Sequence, residues 1–469
     1  MEKKLKLWDA VMIVMGSMIG SGIFIVSADI MRNLGSGYWL IVVWLITAVM
    51  TVAAAISYGE LSAIFPKAGG QYTYITEIFG KPMGFLYGWG MFTVIQTGTI
   101  AAVAVAFGKF TAYLIPALND AAPIFQNGDF KITWIQILAI VVILFLTFVN
   151  TRGVESGKLL QNIFTSSKII ALLGLIILGF VLISQSNWNS NMSFGWDAFQ
   201  NLKQNEWKSI SGATILGGIA AAMVGSVFSS VAWENVTFIS GEIENPKKNV
   251  VKAMILGTSA VMILYLLVNF VYLNALDRDS IAFAANDRVA VAAAEKMFGN
   301  AGTIIIAVLV MISTFGCVNG IVLAGARVFQ TMAKDGLFLK SAVENNKNGV
   351  PAKSLWMQGI WASLLCLSGQ YGDLLDMISF VIVLFYMITV FGVIYLRIKK
   401  PEMKRGYKTF LYPFTPILYL LIGTGFCILL FIYKPQYTWP GLGLILLGLP
   451  VYFFINKKSV NTNENINED

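Results

Sequence analysis

Apolar runs set the rhythm of this chain. Twelve of them, at about 9–31, 37–64, 83–115, 132–150, 160–184, 213–240, 251–275, 300–330, 354–369, 373–397, 411–433 and 438–456, are separated by mostly short polar stretches. Each approaches or exceeds the ~20 residues that a helix needs to cross hydrocarbon. The pattern predicts an all-α integral membrane protein with twelve transmembrane helices and no soluble domain between them. Two longer loops on the outer face, near 186–209 and 276–299, have room for a short surface helix each.

Two of the runs are interrupted near their middles. The first carries GSMIGSGIF (Gly16 to Phe24) and the sixth carries FSSVAWEN (Phe228 to Asn235). Irregular backbone at membrane depth leaves polar groups unsatisfied, so it survives only where it lines a cavity. Breaks at matching places in two halves of a membrane chain mark the binding site of a secondary transporter. Taken singly, Gly16 and Gly20 also fit close helix packing, and the serines of the sixth run also fit a continuous packed helix. Gly20-Ser21-Gly22 goes further, because consecutive small residues favour non-helical backbone. Unwinding there offers the N–H groups and the positive end of the following half-helix to a carboxylate, with the Ser21 hydroxyl beside them. In the sixth run Ser229 and Ser230 compete for backbone hydrogen bonds. Unwinding there exposes the carbonyls of Phe228, Ser229 and Val231, which suit an ammonium. A carboxylate site facing an ammonium site describes the α-carbon end of an amino acid.

Composition changes this picture little and charge refines it. The chain is 57% hydrophobic and 12% charged, against about 25% charged in a soluble domain. The net charge of +8 would suit nucleic acid, but the basic residues are divided among loops on one face. They follow the positive-inside rule, place both termini in the cytoplasm and leave no patch for nucleic acid. The opening MEKKLKLW mimics a signal peptide, yet no small-residue cleavage site follows, so the first run reads as a retained helix. Cys317, Cys366 and Cys427 all fall inside predicted spans, which argues against a disulfide framework. The absence of histidine removes the commonest metal ligand and the Ser-His hydrolase triad. Neither an enzyme nor a bound metal or cofactor is expected.

Two charges lie deep in the pattern, Lys168 in NIFTSSKIIALLG and Glu234 in VAWENV. A charge at the bilayer centre costs at least ~2.5 kcal/mol and usually faces the bundle interior with a functional partner. The competing reading is that each snorkels to water from near a helix end. A buried ammonium ties helices together or titrates. A carboxylate beside a site attracts a cationic substrate, carries a proton or bonds to a helix end.

These stretches, with YGELSAIFPKAGGQYTYI (Tyr58 to Ile75), QNIFTSSKIIALLG, AWENVTFISGEIENPKKN and GARVFQTMAKDGLF (Gly325 to Phe338), resemble the amino acid–polyamine–organocation permeases. Within them the chain looks most like bacterial L-type amino acid transporters, over nearly its whole length. The resemblance implies the leucine-transporter fold, with inverted repeats at 1–185 (helices 1–5) and 210–400 (helices 6–10). Two extra helices at 410–456 and a cytoplasmic tail at 457–469 follow. It also implies that Ile19, Ser21, Gly22 and Ile23 on the first helix and Phe228, Ser229, Ser230 and Val231 on the sixth contact substrate. Gln96 and Thr97 join the pocket wall, with Phe228 as an aromatic gate. Lys168 takes the place of a sodium ion and links helix 5 to helix 1 and to Ser313 or Thr314 on helix 8. Glu234 matches a glutamate that in arginine and polyamine exchangers of the family takes part in gating and pH response. Glu60, Tyr72 and Tyr74 match the signature as an inner loop clamp. Val231 and Ala232 stand where L-type members often have glycines, which reshapes the pocket. Animal relatives attach to a heavy chain through a cysteine in the loop between helices 3 and 4; the loop at 116–131 has none, so no disulfide-linked partner is expected.

The leading expectation is a multi-pass plasma (inner) membrane transporter that moves small or medium neutral amino acids by alternating access, without sodium. Exchange and proton coupling both stay open. A cationic amino acid or polyamine exchanger, with Glu234 as counter-charge, is the alternative on the same fold. A non-transporting amino acid sensor is the alternative of another class, and the short polar tail offers it no signalling domain.

Overall fold

The computed structural model describes residues 5–67, 69–118, 123–128, 130–153, 155–183, 186–204, 206–368 and 371–454. The tail at 457–469 lies outside them. In chain order the helices of the first half are α1 (Leu7–Met18), α2 (Ser27–Leu34), α3 (Gly37–Ile64), α4 (Gln71–Phe79), α5 (Lys81–Gly90), α6 (Gln96–Leu114), α7 (Trp134–Asn150), α8 (Glu155–Leu182) and α9 (Trp188–Met192). The second half holds α10 (Ala213–Ser229), α11 (Asn235–Phe238), α12 (Pro246–Ala275), α13 (Arg278–Ala282), α14 (Val289–Lys334), α15 (Ala352–Ser368), α16 (Tyr371–Lys399), α17 (Phe414–Tyr433) and α18 (Pro435–Leu446). The longer loops hold the short helices α9 and α13, as their length suggested. Two small antiparallel hairpins, β1 (Phe125–Asn127) with β2 (Phe130–Ile132) and β3 (Ala198–Gln200) with β4 (Lys208–Ile210), were not anticipated.

Among the described residues seven helices are long and apolar enough to cross a membrane, and four shorter apolar ones accompany them. The chain is an all-helical, multi-pass membrane protein. Length alone singles out fewer spans than the apolar pattern: breaks cut α1 and α10 short, and α7 and α15, at 17 residues each, also fall short of a full span. At 1.5 Å per residue, α1 reaches only about 18 Å and α10 about 26 Å, less than the ~30 Å of hydrocarbon. The opposite holds for α14, whose 46 residues exceed a span. It turns at Gly299 (φ 64, ψ −160), a backbone state reserved for glycine, one residue before the apolar run expected to start at 300.

Local chemistry places the ends. A Thr133–Gln136 capping box starts α7, Pro246 opens α12 and the Asp277 side chain caps α13, each meeting N–H groups that a helix leaves unpaired. The 30 residues of α12 span about 45 Å, and α12 packs between α1 and α3. Its two ends define the two faces of the molecule, and the broken helices lie along its middle.

Candidate functional site

Both breaks are present. After α1 the chain leaves helical geometry at Ile19 (ψ 90) and makes a single 3-10 turn, Gly22–Phe24, before α2. After α10 it leaves helical geometry at Ser230, and Ala232 adopts φ 68. That left-handed state costs a non-glycine residue roughly 1–2 kcal/mol, at a position where the resemblance led one to look for glycine.

The breaks face each other. A Cβ on Gly22 would collide with the Ser229 side chain, so only glycine lets the two backbones approach this closely. Between them is a cavity of ≈ 20 Å³, about the space for one water molecule. Ser21 and Gly22 line it from the first break, and Phe228, Ser229, Val231 and Ala232 from the second. Ser17, Met18 and Gly20 complete the first-break side, and the rest of the wall comes from Thr99 and Val103 on α6 and Cys317 and Ile321 on α14. Each of these pairs is spaced by four residues and so shares one helix face. The carbonyl-rich end of α10 and the leading N–H groups of the Gly22–Phe24 turn, which have no acceptor within the turn, give the cavity two poles of opposite polarity.

Other expected site residues fall around this centre rather than in it. Ile19 and Ile23 do not line the cavity; the Ile23 carbonyl instead accepts from the Tyr272 hydroxyl at 3.2 Å. Ser230 faces the other way, toward a smaller cavity between α3, α10 and α16. Its hydroxyl donates to the Ser226 and Val227 carbonyls and accepts from Thr51 at 3.2 Å. Gln96 donates its Nε2 to the Ile321 carbonyl at 2.6 Å, and Thr97 bonds back to the Phe92 carbonyl. Lys168 is fully buried and donates Nζ to the Gly16 carbonyl at 2.8 Å, one turn before the first break. On α14 the Thr314 hydroxyl returns to its own helix, and the Ser313 hydroxyl has no hydrogen-bond partner among the described residues. The α14 contact to the first helix is instead Cys317 Sγ to the Ser17 carbonyl, at 3.6 Å. Glu234 is buried, with Oε2 unpartnered among the described residues and Tyr58, Tyr87, Tyr386 and Tyr419 within electrostatic reach. The three cysteines are buried and free.

The support that the sequence reading missed comes from α12. Its Tyr265 hydroxyl lies 3.0 Å from the Met18 carbonyl and 3.2 Å from the Ser229 carbonyl, the last residues of α1 and α10. Asn269 accepts from the Ser27 hydroxyl at 2.7 Å, and Tyr272 holds Ile23. Residues 265, 269 and 272 recur at helical spacing. One face of α12 therefore supplies hydrogen bonds along the whole first break and ties it to the second.

A family model described as amino acid permease matches residues 5–467. The chain belongs to the amino acid permease family. It resembles the "Large neutral amino acids transporter small subunit 2" of Mus musculus, 31% identical over 97% of this chain and 81% of that one. It also resembles the "Asc-type amino acid transporter 1" of Mus musculus at 28%, over 97% of this chain and 81% of the other. With the "b(0,+)-type amino acid transporter 1" of Mus musculus it shares 26%, over 97% and 88%. This permease is thus a transporter and not an enzyme.

Contacts tie the permease together at both ends of α12. At one end of α12, Arg32 on α2 donates Nη1 to Asp287 Oδ1 at 2.7 Å and to the Ala282 carbonyl, and Lys109 Nζ stands 3.7 Å from Asp287. At the other end Leu5 and Ile243 form a parallel β-bridge, and Arg327 pairs with Glu242. Glu60, buried at the same end, accepts from Arg397, Arg405 and Thr409. The Tyr72 hydroxyl donates to Asp335 at 2.8 Å, and burial together with that carboxylate pushes its phenol well above the usual range. Both Glu60 and Tyr72 act here as clamps between α3, α4, α14 and α16.

Proposed function

We propose that this permease carries small or medium neutral amino acids across the plasma (inner) membrane by alternating access, without sodium. The observation that carries the reading is the contact between the two breaks. The Gly22–Phe24 turn offers N–H donors to an α-carboxylate, and the end of α10 offers carbonyls to an α-ammonium. Ser21 and Gly22 receive the carboxylate, Phe228, Ser229 and Val231 the ammonium, and the side chain points to Thr99, Val103, Cys317 and Ile321. That last wall is uncharged, and Glu234 does not line the cavity; both facts favour a neutral substrate over a cationic one. The printed name of one relative, a transporter of large neutral amino acids, supports a neutral substrate, though not the smaller size proposed here.

Lys168 supports independence from sodium. Its amine sits against the Gly16 carbonyl, just before the unwound backbone of the first break. If Lys168 stays charged, the transporter works as an exchanger; if it titrates, it couples to protons. Twelve spans, inverted repeats at 1–185 and 210–400, extra helices at 410–456 and inward-facing termini complete the proposal. With no cysteine in 116–131, no disulfide-linked heavy chain is required.

Counterflow in sodium-free proteoliposomes tests it. Labelled alanine, serine, leucine and arginine are offered to vesicles that are empty or preloaded with unlabelled amino acids. Uptake of the neutral three into preloaded vesicles alone establishes exchange. Uptake into empty vesicles along an imposed proton gradient establishes proton coupling. Arginine outcompeting all three would sink the neutral assignment.

A further inference from the structure

Two glutamines and a glycine meet behind the cavity wall. Gln96 on α6 donates its amide to the Ile321 carbonyl at 2.6 Å, and Gln358 on α15 donates its amide to the next carbonyl, Val322. Both side chains are buried. They converge on α14 at Gly325, where an added Cβ would strike Gln96 and Gln358 together. Carbonyls inside an α-helix already accept from the N–H four residues on. A side-chain donor on each of two successive carbonyls is therefore additional to what the helix needs. Gln96 also follows directly on a π-helical turn, Met91–Ile95. Such a turn shifts the side-chain register by a residue and recurs at functional positions. Ile321 lines the cavity between the breaks, whereas neither glutamine does.

We infer that Gln96 and Gln358 are positioning residues for substrate size. Through the Ile321 and Val322 carbonyls they fix the turn of α14 that carries the Ile321 side chain. They thereby set how far that side chain projects into the space for the substrate's own side chain. The inference rests on amino acid transport through this cavity. A role as interhelical glue alone would lower stability and affect every substrate equally. Positioning changes the ratio between large and small substrates.

The test uses the full chain in proteoliposomes, with kcat/KM for counterflow of labelled leucine and alanine. Gln96→Leu shifts the leucine-to-alanine ratio about 3–10-fold, less than the ~10–200-fold that a whole methylene is worth in an apolar pocket, because it moves the Ile321 side chain without removing any of it. The larger KM change is for leucine. In an Ile321→Ala background the same substitution shifts the ratio less than about twofold, because the side chain whose position it sets is gone. Gln358→Leu carries the same comparison should Gln96→Leu not accumulate in the membrane. An unchanged ratio, or an equal shift in both backgrounds, overturns the inference while transport itself stands. A wild-type protein that moves no amino acid overturns the transport reading, and this inference falls with it.

Discussion

Tyr265→Phe removes one oxygen from the centre of the molecule and leaves almost everything else in place. The ring keeps its packing against Trp44, with centroids 5.4 Å apart. What is lost is the hydroxyl shared between the Met18 and Ser229 carbonyls. Both carbonyls end helices inside a buried region, so neither has a following turn to satisfy it. A hydroxyl has one hydrogen, so the loss is counted as one shared hydrogen bond plus the cost of leaving a buried acceptor open, about 1–3 kcal/mol. That loss falls on the arrangement in which the two breaks are held together, the contact on which the proposed substrate site rests. A coupling of 1–3 kcal/mol corresponds to about 5–150-fold. Counterflow KM for a neutral amino acid is expected to rise by a factor in that range. The detergent-solubilised protein should remain monodisperse, since the helix packing is intact. A variant with wild-type KM and rate would show that the two breaks are not joined through α12.

Three further substitutions probe the remaining parts. Lys168→Met keeps the length of the side chain and removes the ammonium from the Gly16 carbonyl; counterflow is expected to fall at least about tenfold, since bonds to charged donors contribute roughly 1.5–3 kcal/mol, and a wild-type rate would take Lys168 out of the mechanism. Ala232→Gly relieves about 1 kcal/mol of left-handed strain and removes a methyl from the cavity wall. Uptake of leucine relative to alanine is expected to rise with no loss of thermal stability, and a fall in both would contradict it. Asp287→Asn weakens a part-buried ion pair by about 1 kcal/mol, so Cys317 should react roughly fivefold faster with an impermeant thiol reagent applied from that face. No acceleration there would mean that Arg32 and Asp287 do not hold that end closed.

The breaks were legible because glycine and serine interrupt otherwise unbroken apolar runs, and Lys168 and Glu234 because charge is conspicuous in hydrocarbon. What escaped the sequence depended on helix phase and on neighbours. Ser229 and Ser230 are adjacent and chemically alike, yet a step of one residue along a helix turns a side chain by about 100°. Ser229 therefore meets Gly22 while Ser230 meets Thr51. Gln96 was expected in the pocket wall from the family resemblance. The π-turn at Met91–Ile95 shifts the helical periodicity and sends its amide to Ile321 instead. Tyr265, Asn269 and Tyr272 form a polar stripe that was visible in principle, but its meaning required knowing that the unwound first helix lies against it.

The closed geometry bears on how such a site can work. If substrate binds here as proposed, a cavity of ≈ 20 Å³ is too small for an amino acid, and entry requires the breaks to separate. Arg32 with Asp287 ties the end of the first helix beyond its break, and Leu5 with Ile243, together with Glu242 and Arg327, ties the end before it. These ties lie at opposite ends of α12, about 45 Å apart by its length, and share no residue. Each half of the broken helix can thus be released while the other stays held. On the proposed alternating-access reading, the irregular backbone at Ile19 to Phe24 is the joint about which the halves would move. A continuous helix in its place would couple the two ends rigidly and open both faces together, which would leak the gradient that a transporter has to keep.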